Sequence, residues 1–237
     1  MKATLPVVEL FGPTIQGEGP HTGRRAVFLR SGNCNLHCTW CDSWYTWDDE
    51  RGRAPEVDMD GAALLARIEE LEGQTPALLI LTGGEPLMHQ GTEAVRELVQ
   101  ARQGVAPIAV ETNGTIPPLP HMVEGVDLFC VSPKLNYQGD PEKLRIKRRP
   151  LEAFAALAEQ GRAIFKVVCE DIEQVHHALA ITDRYWVDRR HVWIMPEGTE
   201  AEVVVSRARE MVDLVLAEGA NLTLRNHVLL WGDERER

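Results

Sequence analysis

Three cysteines fall close together, Cys34, Cys38 and Cys41, in the pattern C-x-x-x-C-x-x-C. Three thiolates on one short loop can hold three corners of an iron–sulfur cubane. The loop has no fourth cysteine, so one iron would keep an open position for a small molecule. The same spacing admits zinc, with His37 or His21 as a fourth ligand. Structural zinc sites usually pair two C-x-x-C knuckles or add a second Cys/His pair, and neither is evident in the chain. Cys130 and Cys169 end strand-like runs and read as small buried apolar residues. An odd total of five cysteines implies no disulfide framework.

Other chemistry-bearing motifs follow in order. Thr82-Gly83-Gly84-Glu85-Pro86, Glu111-Thr112-Asn113-Gly114 and Ser132-Pro133-Lys134 each close an apolar run. Ahead of them stands Phe11-Gly12-Pro13-Thr14-Ile15-Gln16-Gly17-Glu18-Gly19, whose glycines let backbone approach a ligand closely. No Ser-His-Asp set or phosphate-binding loop is evident.

These motifs need elements to position them. Arg25–Arg30, Ala77–Leu81, Pro107–Glu111, Val126–Val131, Ala163–Val168, Val192–Met195 and Asn221–Leu224 read as strands. Between them, helices are expected after Asp60 and over Thr92–Gln103, Leu151–Gln160, Asp171–Thr182 and Glu200–Glu218. The alternation predicts an α/β fold with a largely parallel sheet. The strands are too few for an eight-fold barrel, so a single-domain partial (open) βα barrel over residues 1–237 is expected. Ligand sites lie at the carboxyl ends of parallel strands. The cysteine loop (31–55, with a polar insertion over 42–55) and the three later motifs therefore converge on one face. Residues 233–237 are all charged and read as a frayed tail.

The chain has 237 residues and a formal net charge of −11, which argues against general nucleic-acid binding. No run approaches the roughly 20 apolar residues of a membrane span, and the N-terminus does not resemble a signal peptide. A cytoplasmic location is expected. The basic run Lys143–Arg149 reads as a solvated face. Glu111 and Asn113 fit either a pocket lining or strand-end turn chemistry, and His227 reads as a packed histidine.

The cysteine pattern, with Trp40 just before the third Cys and Gly83-Gly84-Glu85 after the next strand, resembles the radical S-adenosylmethionine (SAM) enzymes. The resemblance implies a [4Fe-4S] cluster on Cys34, Cys38 and Cys41, and SAM chelated to the open iron. Reductive cleavage of SAM would give a 5′-deoxyadenosyl radical. The Gln16-Gly17-Glu18-Gly19 element, Cys41-Asp42-Ser43, the three strand-end motifs and Leu229-Leu230-Trp231-Gly232 narrow it. Together they are similar to the 7-carboxy-7-deazaguanine synthase family, from Pro6 to about Asp233. This implies conversion of 6-carboxy-5,6,7,8-tetrahydropterin to 7-carboxy-7-deazaguanine with loss of ammonia, in queuosine and 7-deazapurine biosynthesis. Hydrogen abstraction at C6 and ring contraction would be followed by hydrogen return, so SAM is recycled.

By matched position, the resemblance implies that Thr39, Trp40, Asp42, Gly84, Glu85, Ser132, Pro133 and Lys134 meet SAM. Ile15, Gln16, Gly17, Arg30 and Thr82 would meet the pterin, with Arg30 on its carboxylate. Ser43 would supply an oxygen to Mg²⁺, at a position often threonine in the family. A homodimer and an electron donor such as flavodoxin or ferredoxin are also implied. Two other readings stay open on the residues alone: a glycyl-radical activating enzyme acting on a protein, and a non-catalytic zinc-binding protein.

Overall fold

The computed structural model describes residues 3–237; residues 1 and 2 lie outside it. Nine strands form one sheet: β1 (Leu5–Ile15), β2 (Arg25–Ser31), β3 (Val57–Met59), β4 (Leu78–Gly83), β5 (Ile108–Thr112), β6 (Leu128–Val131), β7 (Ala163–Cys169), β8 (Val192–Pro196) and β9 (Asn221–Leu222). Their order is β3-β1-β2-β4-β5-β6-β7-β8-β9. From β2 to β9 every pairing is parallel, while β1 pairs antiparallel with both β2 and β3. The order is linear, so the sheet is an open barrel and not a closed one.

Eight α-helices accompany it: α1 (Gly61–Glu72), α2 (Glu93–Arg102), α3 (Pro120–Gly125), α4 (Glu142–Arg145), α5 (Arg148–Ala158), α6 (Ile172–Arg184), α7 (Ala201–Ala217) and α8 (Asn226–Trp231). Three begin on side chains that cap a free N–H, a contact worth about 1 kcal/mol each. Asp60, Thr92 and Asp171 accept from Ala63, Val95 and Gln174, which starts α1, α2 and α6. No helix among the described residues is long and apolar enough to cross a membrane.

The alternation of side chains along each strand divides the sheet into two faces. On the helix side, Val27, Leu29, Leu79, Leu81, Val110, Phe129 and Phe165 join the main core with residues of the flanking helices. On the other side, Ala26, Leu78, Ile80, Ala109, Leu128, Cys130 and Ile164 form a small cluster made only of strand residues. These inner-face residues lie toward the strand starts. Two positions further along, the same face carries polar groups.

Several expectations change here. The Phe11–Gly19 element does not simply precede the first strand: Phe11–Ile15 is the end of an additional strand, β1. β1 lies antiparallel between β2 and the short edge strand β3, and α3, α4, α8 and β3 are short additions that periodicity does not reveal. The basic run is not uniformly solvated. Lys143, Arg148 and Arg149 are exposed, but Arg145 is buried, donating to the Lys134 carbonyl at 2.8 Å and the Asp140 carbonyl at 3.2 Å. Residues 233–237 do not project away: they fold back along the strand ends.

Candidate active site

A cavity of about 490 Å³ opens at the carboxyl ends of the strands, within the size range of small-molecule sites. Its floor and walls use inner-face positions of successive strands: Phe28 and Arg30 of β2, Thr82 of β4, Glu111 of β5, Cys130 of β6, Lys166 of β7 and Met195 of β8. Each follows the apolar floor by the two-residue period of its strand.

One half of the cavity is the cysteine loop. Cys34, Cys38 and Cys41 all line the cavity and all are free thiols. Burial pushes the Cys34 thiol up to about 12 and the Cys38 thiol to about 11. A bound cationic centre would favour loss of the thiol protons and hold the resulting thiolates. Main-chain and indole N–H groups already aim at sulfur: Leu36 N–H donates to Cys34 Sγ and Trp47 Nε1–H to Cys41 Sγ, each at 3.5 Å. Among the described residues, no three His, Cys, Asp or Glu side chains converge as they do around one ion. A cubane takes each thiolate on a different iron, so this donor set fits that group.

The loop is held by its neighbours through close backbone packing. A Cβ at Gly84 would lie 2.0 Å from the Asn33 carbonyl oxygen, and one at Gly83 (φ +134°) would lie 2.2 Å from that of Ser31. Only glycine fits at either position. Glu85 is fully buried, and its carboxylate accepts from Leu87 N–H (3.0 Å), Asn113 N–H (2.7 Å) and Thr112 Oγ1 (2.8 Å). Burial outweighs these bonds and raises its carboxyl to about 6. Asn113 Nδ2 then donates to Asn35 Oδ1 at 2.9 Å, tying the β5 end to the loop. On the outer side, Asp140 accepts from His37 N–H at 2.7 Å, and Trp40 stacks on Tyr137 at 5.5 Å. The Trp40 indole N–H is buried with no partner among the described residues, a donor left for a bound group.

The other half is built of ion pairs drawn from distant segments. Lys166 Nζ contacts Glu18 Oε2 and lies 3.4 Å from Glu111 Oε1. Arg225 reaches Glu18 at 3.1 Å, Asp42 at 2.5 Å and the Gly198 carbonyl at 2.7 Å. Burial alone would raise the Glu18 carboxyl, but Lys166, then Arg225 and His227, hold it well below the carboxylate range. Burial opposes the Lys166 charge, yet Glu111 and Glu18 raise its ammonium well above the ordinary range. Glu111 also accepts from Gln16 Nε2 (3.2 Å) and Thr82 Oγ1 (3.1 Å). At the edge, β1–β2 register sets Glu9 opposite Arg30 and Phe11 opposite Phe28. Arg30 Nε donates to Glu9 Oε2 at 2.8 Å, and the two phenyl rings stack at 5.2 Å.

The Radical SAM superfamily model matches residues 29–161, which include the whole cysteine loop. A 7-carboxy-7-deazaguanine synthase from Pyrobaculum aerophilum is 32% identical over 242 residues, covering 99% of either chain. The chain belongs to the 7-carboxy-7-deazaguanine synthase family of radical SAM enzymes. A synthase of the same name from Bordetella pertussis is 43% identical over 173 residues, 64% of this chain and 77% of that one. The crystal structure of QueE from Escherichia coli is similar with a TM-score of 0.69 at 24% identity, covering 94% of this chain and 95% of that chain. That likeness establishes the shared fold, the partial βα barrel.

Within this synthase-family fold, the structure brings most of the sequence-derived site residues to one cavity. Ile15, Gln16, Arg30, Thr39, Trp40, Asp42, Ser43, Thr82, Gly84, Ser132 and Lys134 line it beside the three cysteines. Gly17, Glu85 and Pro133 do not. Gly17 packs under His227, where a Cβ would come within 2.1 Å of the ring nitrogen. Glu85 turns its carboxylate inward to clamp two loops, so it is a brace and not a wall residue. His227 is a wall residue of the cavity as well as a packed one. Glu111 and Asn113 are both pocket lining, and Asn113 makes the turn hydrogen bonds too.

Sequence reading missed Glu9, Tyr45, Lys166, Arg225 and Arg235 altogether. A signal existed for Lys166, a lone cation inside the apolar run Ala163–Cys169 at an inner-face position. For Arg225 and Arg235 no local pattern exists, since their partners lie 183 and 226 residues away.

Proposed function

We propose that the cavity takes SAM against the cysteine loop and 6-carboxy-5,6,7,8-tetrahydropterin against the charged half. The enzyme then forms 7-carboxy-7-deazaguanine and releases ammonia, with no net oxidation or reduction. The supporting observation is that one cavity joins three free thiols to Arg30, whose Nε is engaged by Glu9 while its terminal guanidinium nitrogens have no hydrogen-bond partner among the described residues.

Cys34, Cys38 and Cys41 are the residues that would hold a [4Fe-4S] cluster. When bound, the cluster and SAM supply the 5′-deoxyadenosyl radical that removes hydrogen from C6 of the pterin. Gly84 lets the β4 loop lie against the cluster loop, so its backbone groups face the methionine end of SAM. Lys134 Nζ donates to Ser132 Oγ at 3.0 Å, which orients the hydroxyl at the β6 end toward the same ligand. Arg30 receives the pterin carboxylate through a planar, two-nitrogen contact. Gln16 and Glu111 offer an amide and a carboxylate to the polar edge of the pterin ring. Phe11, Phe28, Trp44 and Val228 supply apolar wall that excludes water from reactive carbon. Ser43 Oγ, half-buried in the loop, gives a hard oxygen suited to Mg²⁺ beside that carboxylate. A one-electron donor protein such as flavodoxin or ferredoxin, and a homodimeric assembly, belong to the same reading.

The test is an anaerobic incubation of the reconstituted enzyme with reductant, SAM and the carboxytetrahydropterin. Mass spectrometry should detect 7-carboxy-7-deazaguanine and ammonia with SAM regenerated. An intact cluster that cleaves SAM but gives no deazapurine acid would defeat the substrate assignment.

A further inference from the structure

The 233–237 segment forms part of the cavity wall. α8 ends at Gly232, whose φ of +65° turns the chain back. Arg235 then lies over Tyr45, its guanidinium carbon 3.9 Å from the ring centroid, a cation–π contact. Its Nε donates to Glu9 Oε1 at 2.8 Å, and a terminal nitrogen contacts the same oxygen. Glu9 is 4% exposed. Its second oxygen accepts from Arg30 Nε at 2.8 Å and from the Tyr45 hydroxyl at 3.1 Å.

One buried carboxylate is therefore shared by two guanidiniums, a sum of one positive charge for the three groups; Asp42, which also acts on Arg30, is paired with Arg225. Without Arg235 the Glu9–Arg30 pair would be neutral. Glu9 Oε1, losing its partner, would then be free to turn onto the terminal nitrogens of Arg30. A two-pronged carboxylate–guanidinium contact is the preferred geometry of such a pair, and it would occupy the edge that the substrate needs.

We propose that Arg235 is a positioning residue: it holds one oxygen of Glu9, so that Arg30 keeps both its free edge and an unneutralised charge for the substrate carboxylate. This rests on the reading that Arg30 receives that carboxylate.

The test compares steady-state kinetics of the reconstituted enzyme for 6-carboxytetrahydropterin, with cluster absorbance, SAM affinity and Tm recorded for each variant. Arg235→Ala should raise KM about tenfold, the loss of one charged contact, with kcat, cluster content and SAM affinity near parental values. Glu9→Gln added to Arg235→Ala removes the competing charge and should return most of that loss. Arg235→Lys, which keeps a cation on Glu9, should stay within about threefold of parent. A parental KM for Arg235→Ala overturns the proposal, as does a double variant no better than Arg235→Ala. Should the double variant fail to fold, the contrast between Arg235→Lys and Arg235→Ala carries the test, and equal KM values overturn it. Arg30→Ala separates the two levels. If Arg30→Ala leaves KM unchanged, the carboxylate assignment fails, and this proposal with it. If Arg30→Ala raises KM and Arg235→Ala does not, only this proposal fails.

Discussion

The two halves of the cavity are built on different principles. The cysteine half is contiguous: three thiols on one loop, pressed by glycine backbone and clamped by the buried Glu85. Its partners are mostly main-chain groups. The charged half is assembled from side chains of β1, β2, β5, β7 and the segment after β9. Its partners are other charges, buried together so that each offsets the desolvation of the next. The difference suits the two tasks proposed for them. A metal cluster needs fixed sulfur positions, which a short rigid loop supplies. A substrate with a carboxylate and a polar ring needs a shaped field, which takes cations and anions from several strands.

Breaking the first half should have the larger effect. Cys38→Ala removes one cluster ligand and should abolish both cluster loading, measured by iron and sulfide content, and turnover. Normal turnover would remove Cys38 from the ligand set. Breaking the second half should act first on stability. Lys166→Met leaves Glu18 and Glu111 facing each other in a buried site and should destabilise by about 3 kcal/mol, read by denaturant unfolding of the cluster-free protein. A change under 1 kcal/mol would mean that Arg225 alone compensates both carboxylates.

A pH series sharpens the contrast. Glu18 is held below its ordinary range, so the stability it contributes is present above about pH 4.5 and is lost as pH falls through its lowered folded value. The Tm of Glu18→Gln should therefore fall less steeply on acidification below that pH than that of the parent. Parallel acid limbs would refute the linkage. The smallest effect is expected at the rim: Ser43→Ala should raise the Mg²⁺ concentration for half-maximal rate severalfold and leave the KM for SAM unchanged. An unchanged Mg²⁺ dependence would reject its role as a metal ligand.

The contrast also explains what could be read without coordinates. The cysteine loop, the double glycine, Ser132 and Lys134 are legible because each motif is local and ends a strand, and parallel topology sends all strand ends to one side. Arg30 and Thr82 are legible for the same reason. The motif locates Glu85 at its loop but leaves the direction of its carboxylate unread, because a motif fixes the position of a residue and not the rotamer that burial selects. β1 is hard to read because Gly12-Pro13 interrupts the alternation that marks a strand. Residues 233–237 are exposed, as five charges in a row suggest, but the contact of Arg235 with the site is not legible, because its buried partner Glu9 lies 226 residues away.

The fold class, the family and the cysteine loop are legible in the sequence. All three rest on short-range patterns: strand and helix periods, and ligand spacing along a few residues. Tertiary structure alone decided the charged half, which pairs Glu18 with Lys166 and Arg225, and Glu9 with Arg30 and Arg235. Ion-pair partners are chosen by proximity in space and by the loss of water around them, and neither leaves a mark on the local order of residues.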